Sequence, residues 1–227
     1  MIEIKKLTVI YDDKIIIDNL DLVLESGLVH GLVGLNGSGK TTLLNTFYGF
    51  KKPVSGKIFF ENRKLIRTDM AYLETDNFFY SNITGLEYLQ LFTNDLSDLN
   101  IWNELLLLPL DELIEYYSTG MKKKLAILAV IKLNREILIL DEPFNGLDIE
   151  TTELLKKIIL KLRLQNKTII LTSHIFEILM DVCNEIHFLD NSTINRTINQ
   201  SEFSDFHYKL MNQIHSSQSA ILDKLIK

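Results

Sequence analysis

The sequence has 227 residues, 46% hydrophobic and 24% charged, a balance that excludes a disordered chain and leaves room for a sizeable core. With 24 Lys and Arg against 30 Asp and Glu, the net charge is -6, so bulk electrostatics offer no attraction to nucleic acid or to an anionic membrane surface. The single cysteine, Cys183, excludes an intramolecular disulfide, and no apolar run approaches the ~20 residues that a bilayer-spanning helix needs. Met1 to Asp12 sets acidic Glu3 and Asp12 among short apolar runs, where a secretory leader would have a basic flank and an apolar block. A cytoplasmic protein is expected, reaching any membrane through a partner.

The first third reads as strands. Ile2 to Ile10 mixes apolar and charged positions, Ile15 to Ile17 is β-branched, and Leu20 to Leu24 alternates before the turn at Ser26-Gly27. This segment is expected to be antiparallel. Leu28 to Val33 is a short apolar run that ends in a glycine-rich stretch, and Lys40 to Tyr48 has helix-forming character. Lys57 to Phe60 reads as a further strand, and Gly85 to Tyr117 as a small helical region. The second half alternates: helix Met121 to Leu133, strand Ile137 to Leu140, helix Glu150 to Leu164, strand Thr168 to Leu171, helix Ile175 to Cys183. Such alternation predicts parallel βα units with both sheet faces covered. Beyond Asn191 the composition turns polar, yet Phe206, Leu210, Ile214, Ile221 and Leu225 keep helical spacing, which predicts a helical tail packed back on the domain.

Two motifs carry the chemistry. Gly34-Leu35-Asn36-Gly37-Ser38-Gly39-Lys40-Thr41 is a complete G-x-x-x-x-G-K-[ST] between a strand and a helix. Its glycines let successive N–H groups turn toward one anion, and the helix start adds its positive end. Lys40 supplies a charge for β- and γ-phosphates, and Thr41 a hydroxyl for Mg²⁺. The second motif, Ile137-Leu138-Ile139-Leu140-Asp141-Glu142-Pro143, is an apolar strand that ends in two carboxylates. Strands of open α/β sheets deliver their ends to a ligand crevice. There Asp141 is placed to hold Mg²⁺, and Glu142 to polarise an attacking water.

In this order the residues resemble the nucleotide-binding subunits of ABC (ATP-binding cassette) transporters, up to about Leu189. Gly34 to Thr42 is similar to the Walker A loop of that family, and Ile137 to Glu142 to its Walker B strand with the catalytic glutamate. Tyr11 stands where the family stacks an aromatic on adenine. Tyr117-Ser118-Thr119-Gly120-Met121 resembles the signature, Asn145-Gly146-Leu147-Asp148 the D-loop, and His174 the switch histidine. The resemblance implies an α/β P-loop NTPase fold with a mainly parallel core sheet, an N-terminal antiparallel β subdomain and a small helical subdomain. It sets an ATPase domain at 1–190, with the β subdomain about 1–27 and 57–73 and the helical subdomain about 78–120, followed by the helical tail 191–227.

The resemblance further implies ATP and Mg²⁺ as cofactors, Mg²⁺ being held by Thr41 and Asp141, and catalysis by Glu142 and His174. In the family Ser118 and Gly120 bind the ATP of a partner subunit, so a head-to-tail homo- or heterodimer beneath a separate transmembrane permease is implied, on the cytoplasmic face and without nucleic acid. The rival reading is a soluble ATPase of the same type acting in assembly, without a membrane partner. Two departures stand out. Tyr117, Thr119 and Met121 differ from the usual signature in a way that looks like export-type transporters, and no Gln stands within Tyr72 to Asp76, where Glu74 or Thr75 takes the usual Gln position. Lys122 to Lys124 read as a solvated face or a phosphate-proximal charge, Cys183 as a buried hydrophobe. His30, His187, His207 and His215 show no metal-ligand spacing and receive no role.

Overall fold

The computed structural model describes residues 1–209, 211 and 212. Strands β1 (Ile2–Tyr11) and β2 (Lys14–Leu24) form a hairpin closed by Asp12 and Asp13, both at positive φ (44° and 63°), the backbone that suits a tight two-residue turn. The two apolar runs expected at Ile15 to Ile17 and Leu20 to Leu24 are one strand. Asn19, at φ 43°, and the register shifts between Leu7 and Val9 accommodate the polar break between them. On its other side β1 pairs with β4 (Ser55–Phe60), which β5 (Arg63–Lys64) extends, giving the antiparallel order β2-β1-β4-β5.

The second sheet holds β3 (Val29–Val33), β6 (Met70–Leu73), β7 (Ile137–Leu140), β8 (Thr168–Thr172), β9 (Glu185–Asp190) and β10 (Thr193–Asn199), in the order β10-β9-β3-β8-β7-β6. All pairings are parallel except that of β10 with β9. The expected β subdomain of 1–27 and 57–73 is therefore shorter at its second end. Met70–Leu73 pairs with Ile137–Leu140 in the core sheet, because this apolar run needs a strand neighbour on a doubly covered sheet.

Alternation along the strands builds two cores. Ile137, Ile139 and Ile170 face the antiparallel sheet and helix α1 (Lys40–Tyr48), beside Ile4, Leu7, Leu44 and Phe47. Leu138, Leu140, Ile169 and Leu171 point the other way, toward helices α4 (Thr119–Lys132), α5 (Ile149–Leu164) and α6 (Phe176–Val182). A third cluster around Leu89, Ile114 and Leu125 joins α2 (Gly85–Gln90) and α3 (Leu99–Leu106) to α4. No helix among the described residues is long and apolar enough to cross a membrane.

The tail begins otherwise than its spacing suggests. Thr193–Asn199 is a strand that turns back on β9; Asn195, Arg196, Thr197 and Asn199 are exposed, as an edge strand permits, while Ile198 is buried. A boundary at 190/191 would cut this hairpin. Residues 203–209 are helical, with Phe203 buried and Phe206 against the core; Leu210, Ile214, Ile221 and Leu225 lie outside the described residues. Leu171 sits on β8, one of the two middle strands of the core sheet, with no exposed surface. Leu171→Ala should lower unfolding stability by about 2–5 kcal/mol, read from the urea midpoint without nucleotide.

Candidate functional site

Parallel register brings three strand ends to one edge of the sheet: Leu32 pairs with Thr172, and Leu140 with Leu171. The segments leaving these strands therefore meet: the glycine loop after β3, Asp141-Glu142 after β7 and Ser173-His174 after β8. A cavity of about 420 Å³ opens there, lined by Tyr11, Asn36, Gly37, Gly39, Lys40, Thr41, Thr42, Thr75, Asp141, Glu142 and His174, with Ile16 and Asn145.

The loop is wound by its glycines. Gly37 and Gly39 take φ 79° and 105°, and a Cβ at Gly34 would run into the Leu189 carbonyl and the Ser38 hydroxyl. Ser38 N–H donates to the Leu35 carbonyl (3.0 Å), closing the turn, and Leu35 carries its side chain in solvent. The buried Ser38 hydroxyl has no partner, a group that an anion in the loop would satisfy. Lys40 is 9% exposed and its ammonium donates to the carbonyls of Gly34 (2.8 Å) and Leu35 (3.2 Å). Burial pulls its pKa down, while the nearby Glu142 and Asp141 oppose the shift. The cation is thus desolvated and held by neutral oxygens, a state that favours an arriving phosphate.

Both oxygens of Asp141 are held. Thr41 Oγ1 donates to Oδ2 (2.9 Å), and Thr172 Oγ1 donates to Oδ1 (2.6 Å). The same Thr172 oxygen accepts from the Glu142 N–H (2.8 Å), so one hydroxyl sets both acidic residues. Glu142 has φ 49°, a conformation rarely populated by a residue with a side chain, and it points away from Asp141 toward His174. His174 Nε2 lies 3.0 Å from Glu142 Oε1, at ion-pair distance though not aligned for a hydrogen bond, and His174 N–H donates to Oε2 (3.3 Å). Burial pushes the Glu142 carboxyl above the usual carboxylate range; His174 works against that shift.

Tyr11 is half exposed at the mouth of the cavity, with Lys51 Nζ 4.7 Å from its ring centroid. Of Glu74 and Thr75, Thr75 lines the cavity, while Glu74 lines a separate depression beside Phe78. Ser118, Gly120 and Asp148 lie outside it. Ser118 caps α4 by accepting from Met121 N–H (3.2 Å), and Asp148 caps α5 by accepting from Thr151 N–H (2.7 Å). Gly120 faces the Gly146 carbonyl.

Of the two readings of Lys122 to Lys124, a solvated face or a phosphate-proximal charge, Lys123 departs from the first. It is 5% exposed, and its ammonium donates to the Thr75 carbonyl (3.3 Å). Thr172 is the residue sequence reasoning passed over. Its one outward sign is a hydroxyl at the end of an otherwise apolar strand, directly before Ser173-His174.

A strand, a glycine loop closing on a helix and a held carboxylate at the end of another strand of the same sheet define a P-loop nucleotide-binding protein. A family model described as "ABC transporter" matches residues 17–145, more than half of the chain. The chain belongs to that family: it is an ABC transporter ATP-binding subunit and an ATPase. It is 27% identical to the ABC transporter ATP-binding protein YtrB of Bacillus subtilis, over 92% of this chain and 76% of the relative. It is 29% identical to the lantibiotic transport ATP-binding protein SrtF of Streptococcus pyogenes, over 83% of this chain and 86% of the relative. Among solved structures, a dimeric ATP-binding cassette in a post-hydrolysis state bound to ADP and Pi superposes with a TM-score of 0.79 at 20% identity. That match covers 88% of this chain and 99% of the other and shows the shared fold.

Thr172→Val keeps the side-chain volume and removes the bonds to Asp141 and to Glu142 N–H. ATP turnover is expected to fall roughly 10- to 100-fold, with a higher Mg²⁺ concentration needed for half-maximal rate. Titrating Mg²⁺ at saturating ATP measures both.

Proposed function

We propose that this chain powers an exporter by ATP-driven closure and reopening of a cassette dimer, docked through its helical region on a separate transmembrane permease at the cytoplasmic face. The observation that carries the reading is a division within one chain. The glycine loop, Asp141, Glu142 and His174 share a cavity, while Ser118 and Gly120 lie outside it at the start of α4. A helix start can hold phosphate. In a head-to-tail pair, Ser118 and Gly120 of each copy would meet the ATP held by the loop of the other, giving two shared sites. The dimeric cassette with ADP and Pi supports that arrangement, the lantibiotic relative supports transport, and the form of Tyr117-Ser118-Thr119-Gly120-Met121 supports export. No observation favours the soluble assembly reading.

Within each site Gly34 to Thr42 would receive the phosphates, with the Ser38 hydroxyl and the Lys40 ammonium as donors, and Tyr11 would stack on the adenine. Thr41 and Asp141 fit Mg²⁺, since a hydroxyl and a carboxylate oxygen already meet at 2.9 Å. The metal supplies charge neutralisation on the phosphates when bound. Glu142 orients and deprotonates the attacking water, and its raised pKa makes it the stronger base. His174 steadies the carboxylate from the β8 side and would face the γ-phosphate of a bound ATP. Closure gains the contacts of Ser118 and Gly120 with the γ-phosphate, and hydrolysis removes them, which shifts the open–closed balance the permease reads.

Glu142→Gln should keep ATP binding, abolish turnover and hold a closed dimer. Light scattering should show twice the monomer mass with ATP, and the monomer without it. Adding Ser118→Arg should return the monomer while ATP binding persists; a dimer that survives both changes would contradict the shared sites. Because the Glu142 carboxyl is raised above its ordinary 4.5, base function is lost as pH falls through that higher value. The acid limb of the turnover profile should therefore lie above pH 4.5, which a pH series at saturating Mg²⁺ and ATP measures.

A further inference from the structure

We propose that His30, Glu185 and His187 form a binding site for one zinc-class divalent metal ion, distinct from the nucleotide cavity, that clamps strand β3 to strand β9. None of the three lines that cavity. In the parallel register His30 pairs with Glu185 and Leu32 with His187, so Glu185 and His187, two apart on β9, share the face that His30 presents. His30 Nδ1 stands 3.2 Å from His187 Nε2 and 3.4 Å from Glu185 Oε2, and His187 Nε2 stands 3.8 Å from the same oxygen. A triangle with these sides has a circumradius of about 2.0 Å, the length of zinc bonds to imidazole nitrogen and carboxylate oxygen. An ion in or just off that plane reaches all three ligand atoms without moving them.

The outer hydrogen bonds point the same way. His30 Nε2 lies 2.9 Å from the Glu25 carbonyl, which only accepts, so Nε2 carries the proton and Nδ1 offers its lone pair inward. His187 Nδ1 lies 2.9 Å from Thr197 Oγ1 on β10; donating to that hydroxyl leaves Nε2 as the inward lone pair. Each imidazole is thereby oriented through its far nitrogen, as metal-ligating histidines are. Burial keeps both rings neutral, His187 being pulled down to about 3, and neutral imidazole is the ligating form. Two nitrogens and one carboxylate suit zinc or cobalt better than magnesium. The Glu185 side chain, 22% exposed, is the entry from solvent. The geometry has one metal-free alternative: Thr197 donates to His187, and His187 Nε2–H donates to His30 Nδ1.

Cobalt titration separates the two. Tag-free, chelator-treated protein without nucleotide or Mg²⁺ is titrated with Co²⁺ and followed by visible absorption, with Zn²⁺ competition and thermal unfolding alongside. One saturating Co²⁺ per chain is expected, displaced by Zn²⁺, together with a rise in Tm on Zn²⁺ addition. Affinity should drop more than roughly tenfold in Glu185→Gln and in His187→Gln and persist in Asp141→Asn, which alters the nucleotide-side carboxylate. Glu185→Gln, at a partly exposed position, keeps the test open if the buried His187 variant fails to fold. Absence of saturable binding, loss of binding only in Asp141→Asn, or unchanged titration in Glu185→Gln would each overturn the site and leave the histidines as a hydrogen-bonded pair.

Discussion

Asp141 is a carboxylate whose two oxygens are claimed by hydroxyls from two different segments, Thr41 at the start of α1 and Thr172 at the end of β8. This joint is only possible because β8 lies between β3 and β7 in a parallel sheet, so that all three segments finish at one edge. Around it the order of the site is fixed. The strained backbone of Glu142 is held through the same Thr172 hydroxyl, His174 comes two residues after it, and the glycine loop is drawn against the acidic strand end by Thr41. Charged hydrogen bonds of this kind, shielded from water, are stronger than their exposed counterparts and specify one arrangement.

The fold was legible wherever a strand or helix had to be apolar on a fixed period. Ile137 to Leu140 could be placed without its neighbours because both of its faces are covered, and the glycine loop because only a tight turn tolerates that density of glycine. Met70–Leu73 escaped assignment to the core sheet because four residues carry too little pattern to show which sheet they join. Thr193–Asn199 misled for the opposite reason: an edge strand may be polar on most positions, and polarity beyond a compact domain reads as a tail.

In the site, the residues that bear phosphate or carboxylate chemistry could be named from spacing, and those that position them could not. Thr172 acts through an oxygen whose partners are far away in sequence. Lys123 stood among three lysines open to two readings, a solvated face or a phosphate-proximal charge, and only the packing of α4 against β6 shows that it is buried. His30 and His187 are separated by most of the chain, so no local spacing relates them; the pairing of β3 with β9 does. Side chains that work by meeting across strands leave no periodic trace.

Lys123 ties the start of α4 to the segment after β6 through a single carbonyl, largely shielded from water, and no carboxylate lies within ion-pair distance of it among the described residues. Salt screens exposed charges beyond a Debye length of about 8 Å under physiological conditions, and it screens buried ones far less. Ionic strength therefore acts unequally on two contacts of this molecule. The approach of one exposed surface to another is open to tuning by salt. The bond between α4 and the β6 segment is far less so, because Lys123 makes it from a buried position.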